Sequence, residues 1–262
     1  MSPVPQAAEV LAVLCGSAVG FSLALIGGGG SILATPLLLY VVGVRDPHVA
    51  IGTSALAVSA NAFANLLPHA RAGHVRWRAA FVFAPAGVLG AWLGSTVGKA
   101  LDGHRLLALF ALLMLVVAFL MLRGRRGGGA DRYPLPHALP RLGAVGLGAG
   151  ALSGFFGIGG GFLIVPGLML ASGMEIIYAI GTSLFSVGAF ALTTATNYAI
   201  SGLIDWRVAA EFIGGGILGG WLGATLAGRL ARTRGSLNLI FAMVIVLVAI
   251  FMLVKSWGAL TA

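Results

Sequence analysis

Charge is what this chain of 262 residues has least of: Asp, Glu, Lys and Arg together make up 9% of it. A soluble domain carries about 25%, so the polar surface that keeps a fold of this size in water is missing. Cysteine occurs once, at Cys15, which excludes an internal disulfide framework. No spacing of Cys, His, Asp and Glu matches a metal site, so neither a metal nor an organic cofactor is expected. The apolar runs also lack the buried acid–base chain that serves ion pumps. Glu211 lies near the start of one run and Lys99 at the end of another, each within reach of water. Met1 to Glu9 hold no basic residue ahead of the first apolar run, which argues against a cleaved secretory signal.

What is present is apolar. Hydrophobic types account for 59% of the chain and the mean hydropathy is +1.02. Glycine is abundant, at 41 residues, as in membrane bundles where small residues let helix backbones approach. Apolar runs cover approximately 10–26, 32–44, 49–67, 79–98, 106–122, 142–156, 162–172, 176–200, 208–228 and 237–254. A full crossing needs roughly 17–25 residues. The runs 32–44 and 162–172 are too short and predict half-helices or arms of re-entrant hairpins. The expected fold is an all-α integral membrane protein with about 8 transmembrane helices plus these glycine-rich half-helices. The net charge of +9 sits in short loops between apolar runs. It lacks the interleaved aromatics of a nucleic-acid platform, so no nucleic-acid partner is expected.

The pattern repeats. Residues 50–99 set against 179–228 are identical at 21 of 50 positions, counted at a constant offset of 129. Ala50-Ile51-Gly52-Thr53-Ser54 recurs as Ala179-Ile180-Gly181-Thr182-Ser183, and Gly73, Trp77 and Arg78 recur as Gly202, Trp206 and Arg207. With one residue of slip, Gly27 to Pro36 matches Gly157 to Pro166. The chain therefore divides into a first membrane repeat over 8–122, a basic linker over 123–141 and a second membrane repeat over 142–257. If each half crosses an odd number of times, 11 basic residues fall on one side and 5 on the other; even crossing splits them 10 to 6. The positive-inside rule favours the first arrangement. It predicts inverted repeats with the linker in the cytoplasm and both termini outside.

Three motifs carry chemistry. In the first half Gly27-Gly28-Gly29-Gly30-Ser31 interrupts an apolar run; in the second, Gly154-Phe155-Phe156-Gly157-Ile158-Gly159-Gly160-Gly161 does. Each glycine costs a helix about 1 kcal/mol, so the winding is expected to break there. A break at membrane depth frees backbone N–H groups, and the following half-helix aims its positive dipole end at the same spot. That combination binds an anion without a charged side chain. Close helix packing is the plainer use of the same glycines. The second motif is Gly-Thr-Ser, with Thr53 and Ser54 in one copy and Thr182 and Ser183 in the other. Their hydroxyls suit an anion, a helix cap or an interhelical bond. The third is a polar stripe spaced by four, Asn61, Asn65 and His69. The second half has Thr193, Asn197 and Ser201 at that spacing on a shifted face instead. The asparagines are candidates to line a pathway. His69, beside Pro68 and Arg71, is expected in a loop. Trp77 and Trp206 suit interfacial anchors.

The paired glycine breaks, the Gly-Thr-Ser stretches and the Gly-x-Val/Ile-x-Trp-Arg turns resemble the TauE/SafE sulfite exporter family, the toluenesulfonate uptake permease superfamily. The resemblance spans about 10–254. Two positions depart from the family pattern: Ser31 stands where glycine is common and Arg76 where aspartate is common. The resemblance implies an inner-membrane secondary transporter, with export its expected direction, for sulfite, sulfoacetate, sulfonates or related organic anions. By position it implies Gly28, Gly29, Gly30, Ser31, Thr53, Ser54, Gly159, Gly160, Gly161, Thr182 and Ser183 as substrate-facing. The expected partners are the anion, the bilayer and, in a homodimer, a second copy. A passive anion channel would use the same helix-end site. An intramembrane hydrolase would need Ser31 or Ser54 in contact with His69 or His74; nothing in the spacing favours that, and no enzymatic activity is expected.

Overall fold

A computed structural model describes residues 6–123, 135–157, 159, 161–230 and 246–254. The described residues are helical and contain no strand. The α-helices are α1 (Gln6–Ile26), α2 (Ala34–Leu37), α3 (Pro47–Arg71), α4 (Trp77–Ala100), α5 (Gly103–Arg123), α6 (Leu135–Phe156), α7 (Gly161–Ser172), α8 (Ile176–Ile200) and α9 (Trp206–Leu230). Residues 246–254 are also helical. Helices Pro47–Arg71, Trp77–Ala100 and Ile177–Ile200 are long and apolar enough to cross a membrane. Others, such as Glu9–Leu25 and Leu163–Ser172, are apolar but shorter. α6 begins inside the stretch read as the connector, and the first part of that stretch, 124–134, lies outside the described residues.

Local chemistry sets the ends. Asp46 starts α3 by accepting the N–H of His48 at 2.7 Å, with Pro47 at the first helical position. Asp205 starts α9 in the same way, accepting the N–H groups of Arg207 and Val208 at 3.1 Å. Both α3 and α8 lead into a left-handed glycine: Gly73 has φ +71° and Gly202 φ +70°. His69 is not in a loop. Pro68 does not end α3, which continues to Arg71 and leaves His69 buried.

The halves interlock rather than sit apart. α1 of the first half lies along α9 of the second, and α4 of the first lies along α6 of the second. Both pairs run parallel, because their contacts advance together: Gly16 meets Phe212, Gly20 meets Gly216 and Phe21 meets Gly223, while Gly87 meets Gly150 and Ala91 meets Gly154. A methyl group at Gly20 or Gly150 would overlap the opposing carbonyl. Glycine is used here for backbone contact, the packing that holds helices together in lipid where apolar burial gives little drive. α3 and α8 cross antiparallel at the centre. Gly52 near the start of α3 meets Tyr198 near the end of α8, and Ser59 near the middle donates to the Gly188 carbonyl at 2.9 Å. Large apolar side chains face outward, among them Leu89, Leu93, Leu218 and Trp221, as lipid-exposed surface requires.

Candidate functional site

Both glycine stretches break the α-helical winding. Gly27 follows α1 with φ +72°, and Gly27–Leu33 then take the tighter 3-10 winding before α2. Gly28, Gly29, Gly30 and Ser31 lie in that stretch, with Ser31 fully buried. In the second half Gly157 has φ +68° and Gly159 φ +66°, a left-handed conformation that only glycine adopts readily. α7 then starts at Gly161. Gly160 lies outside the described residues.

The breaks meet at the centre, and each docks on the opposite half. The 3-10 stretch packs against α7. A side chain at Gly27 would come within 3.0 Å of Ser183 Oγ and 3.1 Å of Ile180. In the reciprocal contact Gly157 presses on Ile51, the repeat partner of Ile180. Gly159 faces Val58 of α3 and Val187 and Ala191 of α8, at 3.0, 3.4 and 3.1 Å from an added methyl. None of these described wall residues carries a charge. The signal for them was present in the repeat, since Ile51/Ile180 and Val58/Val187 are identical pairs.

The Gly-Thr-Ser stretches clasp one half to the other. Thr53 Oγ1 accepts the Asp205 N–H at 3.0 Å, and Thr182 Oγ1 accepts the Arg76 N–H at 3.0 Å. Asp205 and Arg76 hold the same place in the repeat. Gly52 and Gly181 let the Leu203 and His74 carbonyls approach, again repeat partners. The serines turn inward. Ser183 Oγ donates to the Ile180 carbonyl at 2.8 Å. Ser54 Oγ donates to the Ile51 carbonyl at 2.9 Å and shares a 2.8 Å bond with Thr35 Oγ1. No motif singles out Thr35, which has Val165 as its counterpart.

The asparagines lie apart from the breaks. Asn61 and Asn65 face α1 and α9: Asn61 packs on Gly216, and Asn65 Nδ2 donates to the Gly20 carbonyl at 3.4 Å. Asn61 is fully buried and neither polar atom of its amide has a partner. Asn197 ties α8 to α4, donating to Ser95 Oγ at 2.6 Å and Thr96 Oγ1 at 3.0 Å. Lys99 does not simply reach for water; its Nζ donates to Asn197 Oδ1 at 2.7 Å and Ser201 Oγ at 2.8 Å. Glu211 pairs with Arg207 at 3.4 Å, and Arg207 also pairs with Glu9. An open hollow of about 480 Å³ between the starts of α3 and α5 is lined by Arg45, Asp46, His48, Asp102 and His104. Its two carboxylates cap helices. The N–H groups of Arg105 and then His104 hold the Asp102 carboxyl below its ordinary range.

Chemically, the centre offers backbone amides, two inward serines and no fixed charge on the described walls. Ser54 bonds the Ile51 carbonyl and Thr35, whereas His69 bonds the Ala24 carbonyl. These bonds form no nucleophile–base pair.

Comparison with known proteins converges on one family. The family model described as Sulfite exporter TauE/SafE matches residues 12–252. A probable membrane transporter protein of Xylella fastidiosa (strain 9a5c) is 54% identical over 255 residues, covering 97% of this chain and 98% of the relative. The probable membrane transporter protein YunE of Bacillus subtilis is 27% identical over 239 residues, covering 83% of this chain and 88% of the relative. No solved structure matches the chain.

Proposed function

The chain belongs to the TauE/SafE sulfite exporter family and is a multi-pass membrane transporter; from that premise we propose that it carries small sulfur-containing or organic anions, such as sulfite, sulfoacetate or sulfonates, through the two glycine breaks. One observation carries the reading. Two interrupted helices lie side by side between α3 and α8, among described walls without charge. The anion is held by N–H groups of Gly28 to Ser31 and Gly159 to Gly161, with Ser54 and Ser183 beside them. Thr53 and Thr182 act behind this layer by fixing the opposite half.

The halves are inverted in this reading. It is supported by the antiparallel crossing of α3 and α8, which are repeat partners. The glycine-packed pairs α1–α9 and α4–α6 each join one helix from each half. They form two stiff units that rock about the breaks and expose the anion to each side in turn. The membrane is the inner membrane, with the linker cytoplasmic and both termini outside, as the distribution of basic residues favours.

The test is counterflow. Purified protein in vesicles loaded with unlabelled sulfite should take up labelled sulfite faster than empty vesicles do. Flux that ignores the trans side would identify a pore, and no flux of sulfite or any tested sulfonate would remove the anion assignment.

A further inference from the structure

One polar track among the described residues has side chains that take no part in the breaks or the clasp, although the backbone of its last residues does. It runs along α3 through Asn61, Asn65 and His69 and ends at His74, Arg76 and Tyr178. His69 is only 9% exposed. Its Nε2 lies 3.4 Å from the Ala24 carbonyl. A carbonyl only accepts, so Nε2 carries the hydrogen and Nδ1 keeps the lone pair. That Nδ1 is buried and has no partner. The His74 ring, half-buried, lies 5.8 Å from the His69 ring between centres and 6.5 Å from Tyr178. The exposed Arg76 guanidinium sits 3.8 Å over the Tyr178 ring. The track thus grades from a fixed cation at the surface to a buried free lone pair. Ala24, which anchors His69, stands three residues before Gly27.

We propose that His69 is the proton site of this transporter, loaded through His74, so that anion and proton move together. The inference rests on the anion-transport reading. An anion between the breaks meets no fixed positive charge on the described walls, and a proton on His69 supplies it nearby. A proton from water binds His74. The N–H bond on His74 breaks as the Nδ1–H bond on His69 forms, through one bridging water. The Nε2–H stays on the Ala24 carbonyl throughout, and release breaks only the Nδ1–H bond and returns the proton to water. Among the described residues, those against His69 are His74 from the α3–α4 turn, with Arg76 and the α8 residue Tyr178 behind it, and the Ala24 carbonyl from α1; Gly216 and Gly220 of α9 lie against Asn61 and Asn65 further along the stripe. Arg71, on α3 itself, is exposed. The second half places Tyr198, Leu203 and Asp205 at the positions of His69, His74 and Arg76, so the device belongs to one half only.

The experiment uses the full chain in vesicles with an internal pH dye. The probes are sulfite and methanesulfonate; the latter stays ionised at every working pH, so any proton that accompanies it comes through the protein. The expected result is that an inward methanesulfonate gradient acidifies the lumen. His69→Gln, whose amide can still donate to the Ala24 carbonyl, should lose at least about tenfold of that acidification while exchange of labelled for unlabelled probe continues. His74→Gln should slow acidification less. Probe flux without a pH change in the native protein, or unchanged acidification in His69→Gln, would overturn the proton site and leave anion transport standing. If neither probe moves, the transport reading fails for these anions. Ring-labelled histidine spectra then decide the site: a His69 signal that titrates between about pH 5 and 8 sustains it, and one that does not overturns it.

Discussion

The two halves share a scaffold and differ along one helix face. At an offset of 129, Asn61, Asn65 and His69 of α3 become Phe190, Thr194 and Tyr198 of α8. Asn61 packs on Gly216 and Phe190 packs on Gly87, and those two glycines are themselves repeat partners. The same socket therefore holds an amide in one half and an aromatic ring in the other. Where the halves agree, at the breaks, the Gly-Thr-Ser clasp and the glycine seams, the residues make the frame. Where they disagree, one half fills the socket with a ring and the other keeps an amide without partners. Buried groups of that kind are costly, which marks the α3 face as the place to look for chemistry.

The largest effect should come from breaking what the halves share. Gly20→Val puts a side chain into the Gly216 backbone and should cost more than about 4 kcal/mol. Loss of a monodisperse peak in detergent would show it; a native elution profile would argue against the seam.

Next, the shared socket should respond in opposite directions. Phe190→Ala empties a fully buried site and should destabilise by about 3–5 kcal/mol. Asn61→Leu removes an amide with no partner and should be neutral or stabilising by up to about 2 kcal/mol. Thermal unfolding of both variants checks the pair, and equal losses would erase the contrast.

The clasp should behave symmetrically. Thr53→Val and Thr182→Val each orphan one backbone N–H of the opposite half, and each should cost about 1–3 kcal/mol. Similar shifts in melting temperature are expected; a large loss in one alone would contradict the paired roles.

The smallest effect concerns Asp102, whose counterpart at the same offset is the uncharged Ala231. Its folded pKa is depressed by the Arg105 and His104 N–H groups. The stability it adds is therefore present above the ordinary carboxylate pKa of about 3.9 and is lost as pH falls through the lower folded value. Asp102→Asn should flatten the acid limb of a melting-temperature profile by a small amount.

Much of this frame was legible in the sequence because it rests on residue types with strong local consequences. Runs of glycine break helices, long apolar runs need lipid, and an identical pentapeptide at Ala50 and Ala179 marks a duplication. What stayed hidden depends on pairing across long separations. Nothing in periodicity says that Thr53 meets Asp205 or that α1 lies along α9, since both contacts join different halves. Pro68 misled for a physical reason. Proline lacks the N–H that would bond the Ala64 carbonyl one turn back, yet its own carbonyl still accepts the Ala72 N–H at 3.0 Å and carries the winding on. α3 therefore runs on and buries His69.

Backbone amides at the two breaks holding a negative solute can be observed directly. Spectra of glycine-labelled protein should show the amide signals of Gly28, Gly29, Gly30, Gly159 and Gly161 moving together as sulfite is added, while those of seam glycines such as Gly94 and Gly219 stay still. Break signals that do not move at saturating sulfite, or shifts confined to other glycines, would contradict the site.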